Sequence, residues 1–216
     1  MDSTIEIMMI LLVLSDMALL GLSRLRTCIS IVSFQGMLLG LLALVTQFGS
    51  LTLRLMMIAA ASFIIKGFVF PFLLRRGIRE AGAQHEVEPF VGYSLSVIAG
   101  LVMLGVSLWL GARLPLFVAA GSGTSLIVPA ALTTLFTGLF LIIARKNALN
   151  QCLGYIIMEN GIYTFGIYSV VEIPVLVELG ILLDVFVAVF VMGIAIYHIN
   201  REFDHLDSDR LNVLKG

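Results

Sequence analysis

The chain has 216 residues, of which 60% are hydrophobic and only 12% charged, with a mean hydropathy of +1.08 and a formal net charge of −1. This balance excludes a soluble globular domain and, with its basic residues beside apolar runs rather than in a patch, a nucleic-acid-binding module. It describes an all-α integral membrane protein, because backbone groups cannot go unpaired in lipid.

Apolar runs of about 20 residues, the length that crosses roughly 30 Å of hydrocarbon, lie near 4–22, 29–48, 51–74, 91–111, 124–143, 152–171 and 175–199. They predict seven transmembrane helices. Asp2 and Glu6 precede the first run where a signal peptide would carry positive charge, so that helix is expected to remain. With the N-terminus outside, the cytoplasmic loops hold Arg24, Arg26, Arg75, Arg76, Arg79, Arg145 and Lys146, and the tail holds Arg201, Arg210 and Lys215. Only Arg54 and Arg113 then lie outside, with Lys66 inside a helix. The positive-inside rule therefore orients the chain N-out, C-in.

The organisation expected is helices 1–3 in residues 1–80, a polar loop and helix 4 in 81–123, a three-helix unit in 124–200 and a cytoplasmic tail in 201–216. The polar connection Arg75 to Pro89 is the seam between the first two parts. The outer helical triplets read either as distant copies or as chance matches. Cys28 is followed seven residues later by Gln35-Gly36, and Cys152 at the same interval by Glu159-Asn160. The third helix of each triplet carries one charge at comparable depth, Lys66 and Asp184. The cysteines themselves lack CxxC spacing and are expected to be reduced and apolar.

Glu159 sits near the middle of the sixth run and Asp184 about nine residues into the seventh. A carboxylate in hydrocarbon costs about 2.5 kcal/mol or more, so its default reading is functional. Tyr155, Glu159 and Tyr163 recur every four residues and share a helix face. That stripe suits proton exchange between a desolvated acid and neighbouring hydroxyls. The competing reading is a polar strip that joins helices by hydrogen bonds. Lys66 has no polar neighbour on its own helix; it is either a partner or carrier for Asp184-type chemistry, or it snorkels toward the cytoplasmic face. Asp16 is a secondary candidate, with pairing to an arginine as its structural alternative, and Glu178 would form the mouth of a polar path. His85, His198 and His205 lie outside the helix interiors, which argues against a transmembrane haem. With no phosphate loop, nucleophile triad or metal cluster, the chain is expected to have no catalytic centre and no cofactor of its own.

The segments Arg145-Lys146-Asn147-Ala148-Leu149, Leu153-Gly154-Tyr155-Ile156-Ile157-Met158-Glu159-Asn160 and Leu183-Asp184, with the terminal Leu214-Lys215-Gly216, carry a resemblance. The chain resembles the hydrogenase-4 component E family, membrane subunits of formate hydrogenlyase-type complexes. From about residue 124 it is also similar to the three-helix K-type subunit of complex I and its Mrp antiporter counterparts. The resemblance implies a proton-relaying subunit of a bacterial or archaeal inner membrane. Antiporter-like and quinone-site-type membrane subunits would be its neighbours, and a peripheral hydrogenase arm would hold the [NiFe] centre and iron–sulfur clusters. Asp184 falls where the second intramembrane glutamate of K-type subunits would be; Glu159 departs from the first by three residues. An Mrp-type cation/proton antiporter component and a purely structural membrane subunit are the alternative readings.

Overall fold

The computed structural model describes residues 2–46, 60, 63–80, 90–113, 126–145, 148–168 and 193. Its elements are α1 (Asp2–Gly21), α2 (Leu25–Thr46), a π-turn (Ile65–Val69) that runs into α3 (Phe70–Glu80), α4 (Tyr93–Arg113), α5 (Ile127–Ala144) and α6 (Ala148–Tyr168). Ser3–Gly21, Leu25–Val45, Tyr93–Arg113 and Ile127–Ala144 are long and apolar enough to cross a membrane. α6 has 21 residues, but Asn150, Gln151, Glu159 and Asn160 interrupt its apolar character. The run at 175–199, with Asp184 and Glu178, lies outside the described residues except for residue 193, as does most of 51–62.

Some helix ends reach further than the apolar runs that announce them. α2 starts four residues early because the Arg24 carbonyl accepts from the Thr27 and Cys28 amides at 3.0 and 3.1 Å, closing its first turn. The expected polar connection from Arg75 begins instead as helix, since α3 continues to Glu80. The reason is amphipathic spacing: Phe70, Leu74 and Ile78 are buried at intervals of four, whereas Arg75, Arg76 and Arg79 point outward.

The bundle is layered along its axis. At the end bearing the α1–α2 and α5–α6 turns, Leu20, Leu25, Ile29, Leu74, Leu153 and Ile157 belong to one apolar cluster. Toward the other end, Ile5, Met9, Leu12, Leu39, Leu42 and Ile127 belong to another. Between them four helices contribute buried polar groups: Ser15 and Asp16 on α1, Ser33 and Gln35 on α2, Thr133, Thr134 and Thr137 on α5, Glu159 and Asn160 on α6. α4 stands at the side against α1 and α5 and exposes Leu95, Ile98, Leu101, Val102 and Trp109, as a lipid-facing helix would.

α5 and α6 make the most intimate pairing. A Cβ on Gly161 would lie 2.5 Å from the Leu135 amide nitrogen, and one on Gly154 would lie 2.8 Å from that of Ile142; Gly138 faces the Met158 backbone in the same way. Small residues let the two backbones touch, and dispersion between them replaces the hydrophobic drive that lipid does not supply. This contact sets the rotation of α6 and turns Glu159 and Asn160 inward. Gly161→Leu is therefore expected to lower thermal stability in detergent by the equivalent of about 1–3 kcal/mol or more, the usual cost of overpacking. Gly105→Ala, at a site where a Cβ would meet nothing within 4 Å, should leave the melting temperature unchanged.

Candidate functional site

The π-turn carries Lys66 into the polar layer. α2 permits this approach because Gly36 and Gly40 face it: a Cβ on Gly36 would sit 2.6 Å from the Lys66 Cβ, and one on Gly40 2.9 Å from that of Phe63. Ser33 Oγ then donates to the Gly67 carbonyl at 2.6 Å and fixes the turn against α2. π-turns interrupt the regular helical ladder and are frequent at functional sites. Here the turn brings a long cationic side chain toward α6.

Lys66 Nζ donates to Glu159 Oε1 at 2.7 Å. Both residues are almost wholly enclosed, at 4% and 2% exposure. Nζ also lies 3.4 Å from Asn160 Oδ1 and 5.0 Å from the centre of the Tyr163 ring. The ammonium is thus met by a carboxylate, an amide oxygen and a π-face, a set that offsets much of the cost of burying it. Glu159 Oε2 has no hydrogen-bond partner among the described residues. One carboxylate oxygen is committed to the lysine.

A second acid lies in the same layer. Asp16 is fully buried, and its oxygens meet neutral side chains: Gln35 Nε2 donates to Oδ1 at 2.8 Å, and Thr134 Oγ1 is 2.7 Å from Oδ2. The Thr134 hydroxyl is also 3.0 Å from the Ala130 carbonyl, so its single proton serves one acceptor at a time. The second Gln35 hydrogen goes to Ser15 Oγ at 2.8 Å, while Asn160 Nδ2 donates to Gln35 Oε1 at 3.4 Å. A chain of polar side chains therefore runs Thr134–Asp16–Gln35–Asn160–Lys66–Glu159 across α5, α1, α2, α6 and the π-turn.

The sequence-based candidates thus separate into three groups. Glu159, Lys66 and Tyr163 are brought together, and Tyr155, one turn earlier on α6, is partly buried against the apolar cluster at the turn end. Lys66 does not snorkel. Asp16 joins the layer, but through glutamine and threonine rather than an arginine, because those are the groups α2 and α5 present at its level. Asp184 and Glu178 lie outside the described residues. Gln35, Thr134 and Asn160 were not candidates in their own right; the signal that could have found them is the coincidence of polar residues at one depth in several apolar helices.

Arg145, just past α5, is a buried cation of a different kind. Its Nη2 donates to the Leu20 carbonyl at 3.4 Å, and its guanidinium lies 5.3 Å from the Tyr93 ring centre. Burial lowers its pKa below the ordinary arginine value. It ties the α5–α6 turn to α1 and α4 and does not touch the polar layer.

Removing one member of a buried ion pair leaves the other charge uncompensated, at a cost of about 3–5 kcal/mol, whereas removing both is far cheaper. Lys66→Met should therefore depress thermal stability strongly, and Lys66→Met combined with Glu159→Gln should recover most of the loss. Additive losses in a double-mutant cycle would show that the two side chains are not coupled.

Comparison with known proteins gives relatives of similar length. Neither a family model nor a solved structure matches the chain. Hydrogenase-4 component E of Escherichia coli K12 is 28% identical over 163 residues, which are 76% of this chain and 74% of that one, and the Shigella flexneri protein of that name matches equally. The protein named Uncharacterized protein Rv0085 of Mycobacterium tuberculosis is 30% identical over 207 residues, which are 94% of this chain and 92% of the relative. With that identity sustained over nearly the full length of both, the chain belongs to the Rv0085 family.

Proposed function

We propose that the chain is a membrane subunit of a hydrogenase-type, complex I-related energy-converting complex and forms part of an intramembrane proton path. The likeness to hydrogenase-4 component E supports the setting. The observation that carries the relay is the enclosed Lys66–Glu159 pair, with one carboxylate oxygen unpartnered among the described residues, at the end of a polar chain that begins at Asp16.

A proton arriving on Glu159 Oε2 neutralises the carboxylate and weakens its hold on Lys66. The ammonium then depends on Asn160 and Tyr163, whose neutral groups stabilise it less. Proton occupancy is thereby coupled to the placement of a cation, which is what a gated carrier requires. Tyr163 closes the pocket over the ammonium, and Tyr155 extends the polar face of α6. Asp184 serves as the second carrier, Asp16 as an acid at the far end of the chain and Glu178 as the outer mouth. Seven helices, N-out and C-in, complete the subunit in a bacterial or archaeal inner membrane. Antiporter-like and quinone-site-type subunits adjoin it, and the [NiFe] and iron–sulfur chemistry belongs to the peripheral arm.

Glu159→Gln preserves shape and hydrogen-bonding capacity while removing the ionisable proton. In inverted membrane vesicles, read per assembled complex because the uncompensated Lys66 ammonium also lowers stability, it is expected to reduce proton translocation at least tenfold, in the range typical of a lost proton-transfer group. Lys66→Arg should retain more transport than Lys66→Met. Transport equal to wild type in Glu159→Gln would leave this subunit a structural role.

A further inference from the structure

The bundle end that carries the short helix turns also holds a cleft separate from the polar layer. It lies between the beginning of α2 and the outward face of α3 and encloses about 500 Å³, within the range of about 300–1,000 Å³ usual for ligand sites. Its described lining includes Arg26 and Ser30 from α2 and Phe72, Arg75, Arg76 and Arg79 from α3, and among the described lining residues none is acidic. Arg75 Nη2 donates to Ser30 Oγ at 3.1 Å, which braces the cleft across the two helices.

Four guanidinium groups around one cleft select an anion with several oxygens, since the planar fork of arginine matches phosphate. The apolar surroundings narrow the choice further. Phe72 is 63% exposed, and in the preceding turns, further from the arginine end, Ile64, Phe68 and Val69 are exposed as well. The outward surface therefore changes from apolar to cationic along one short stretch of chain, as it does where hydrocarbon gives way to headgroups. A free anion has no use for the apolar half of that surface, whereas an acidic phospholipid uses both. The geometry points to an acidic phospholipid site, with phosphate held by Arg75 and Arg79 in a cleft that Arg26 and Arg76 also line, and an acyl chain lying along Phe72 and Phe68. The positive-inside rule puts this end at the cytoplasmic leaflet, where basic clefts meet anionic headgroups. The assignment is independent of the proton path and requires only membrane insertion.

The test is native mass spectrometry of the full-length chain in mild detergent, titrated with diphosphatidylglycerol or with phosphatidylcholine of the same acyl composition. Wild type should retain one molecule of the acidic lipid in preference to the zwitterionic one. At about 1 kcal/mol for each basic residue near a membrane surface, Arg75→Gln with Arg79→Gln should weaken that retention roughly 30-fold. Arg75→Lys with Arg79→Lys should keep most of it. Both arginines are exposed, so these variants leave the buried side of α3 untouched, and an unchanged melting temperature verifies this. Arg113→Gln, at the opposite end of α4, should have no effect. Equal uptake of the two lipids, retention unchanged in the double glutamine variant, or full displacement of the lipid by an equal concentration of inorganic phosphate would each overturn the site.

Discussion

The contact on which the rest depends is the 2.7 Å pair between Lys66 and Glu159, closed off from solvent within a bundle whose outside is apolar. Either charge there alone is costly. Their mutual neutralisation makes the polar layer compatible with the apolar clusters above and below it, and the fold serves that arrangement at several points. Gly138, Gly154 and Gly161 draw α5 and α6 together and aim the acid inward. Gly36 lets the π-turn approach, and Ser33 holds it there. The polar layer is in turn the route by which α1, α2, α5 and α6 recognise one another's depth, since apolar side chains alone leave helices free to slide and rotate in lipid.

A buried pair of this type is weak as a source of stability, because well-packed apolar residues would serve as well or better. Its presence is therefore more informative about what the protein does than about how it stays folded. An amide at position 159 could still accept a hydrogen bond from Lys66. In the proposed relay the carboxylate is the group that would change charge, and with it the electrostatic footing of the lysine beside it. Asp16, set among Gln35 and Thr134 rather than beside a cation, has a different environment at the other end of the same chain of side chains. The proposed path thus has two acids with unlike surroundings, joined by amides and hydroxyls.

The helices themselves were legible because hydrocarbon imposes length and composition together, and the apolar runs of α1, α2, α4, α5 and α6 fall within a few residues of the observed elements. Their ends were not, since the backbone continues as helix where arginine side chains can reach away from the apolar layer, as at Arg26 and along Arg75 to Arg79. Glu159 and Lys66 stood out by charge alone. Their partnership did not, because 93 residues separate them and no local pattern encodes a contact between helices. The partners of Asp16 were hidden for a related reason: threonine and glutamine are common enough in apolar helices that only their shared depth gives them meaning. The π-turn left no signal in composition. The matching spacing from Cys28 to Gln35 and from Cys152 to Glu159 acquires structural content, since both cysteines lie in one apolar cluster and Gln35 meets Asn160, the neighbour of Glu159, across α2 and α6.

The central claim is that Glu159 changes protonation as ions move, and difference infrared spectroscopy of the assembled complex during turnover addresses it most directly. A protonated-carboxyl band that rises and decays with turnover in wild type and is missing from Glu159→Gln is the predicted result. A spectrum in which no carboxyl band depends on Glu159, so that the group stays ionised beside Lys66 throughout the cycle, would contradict the account.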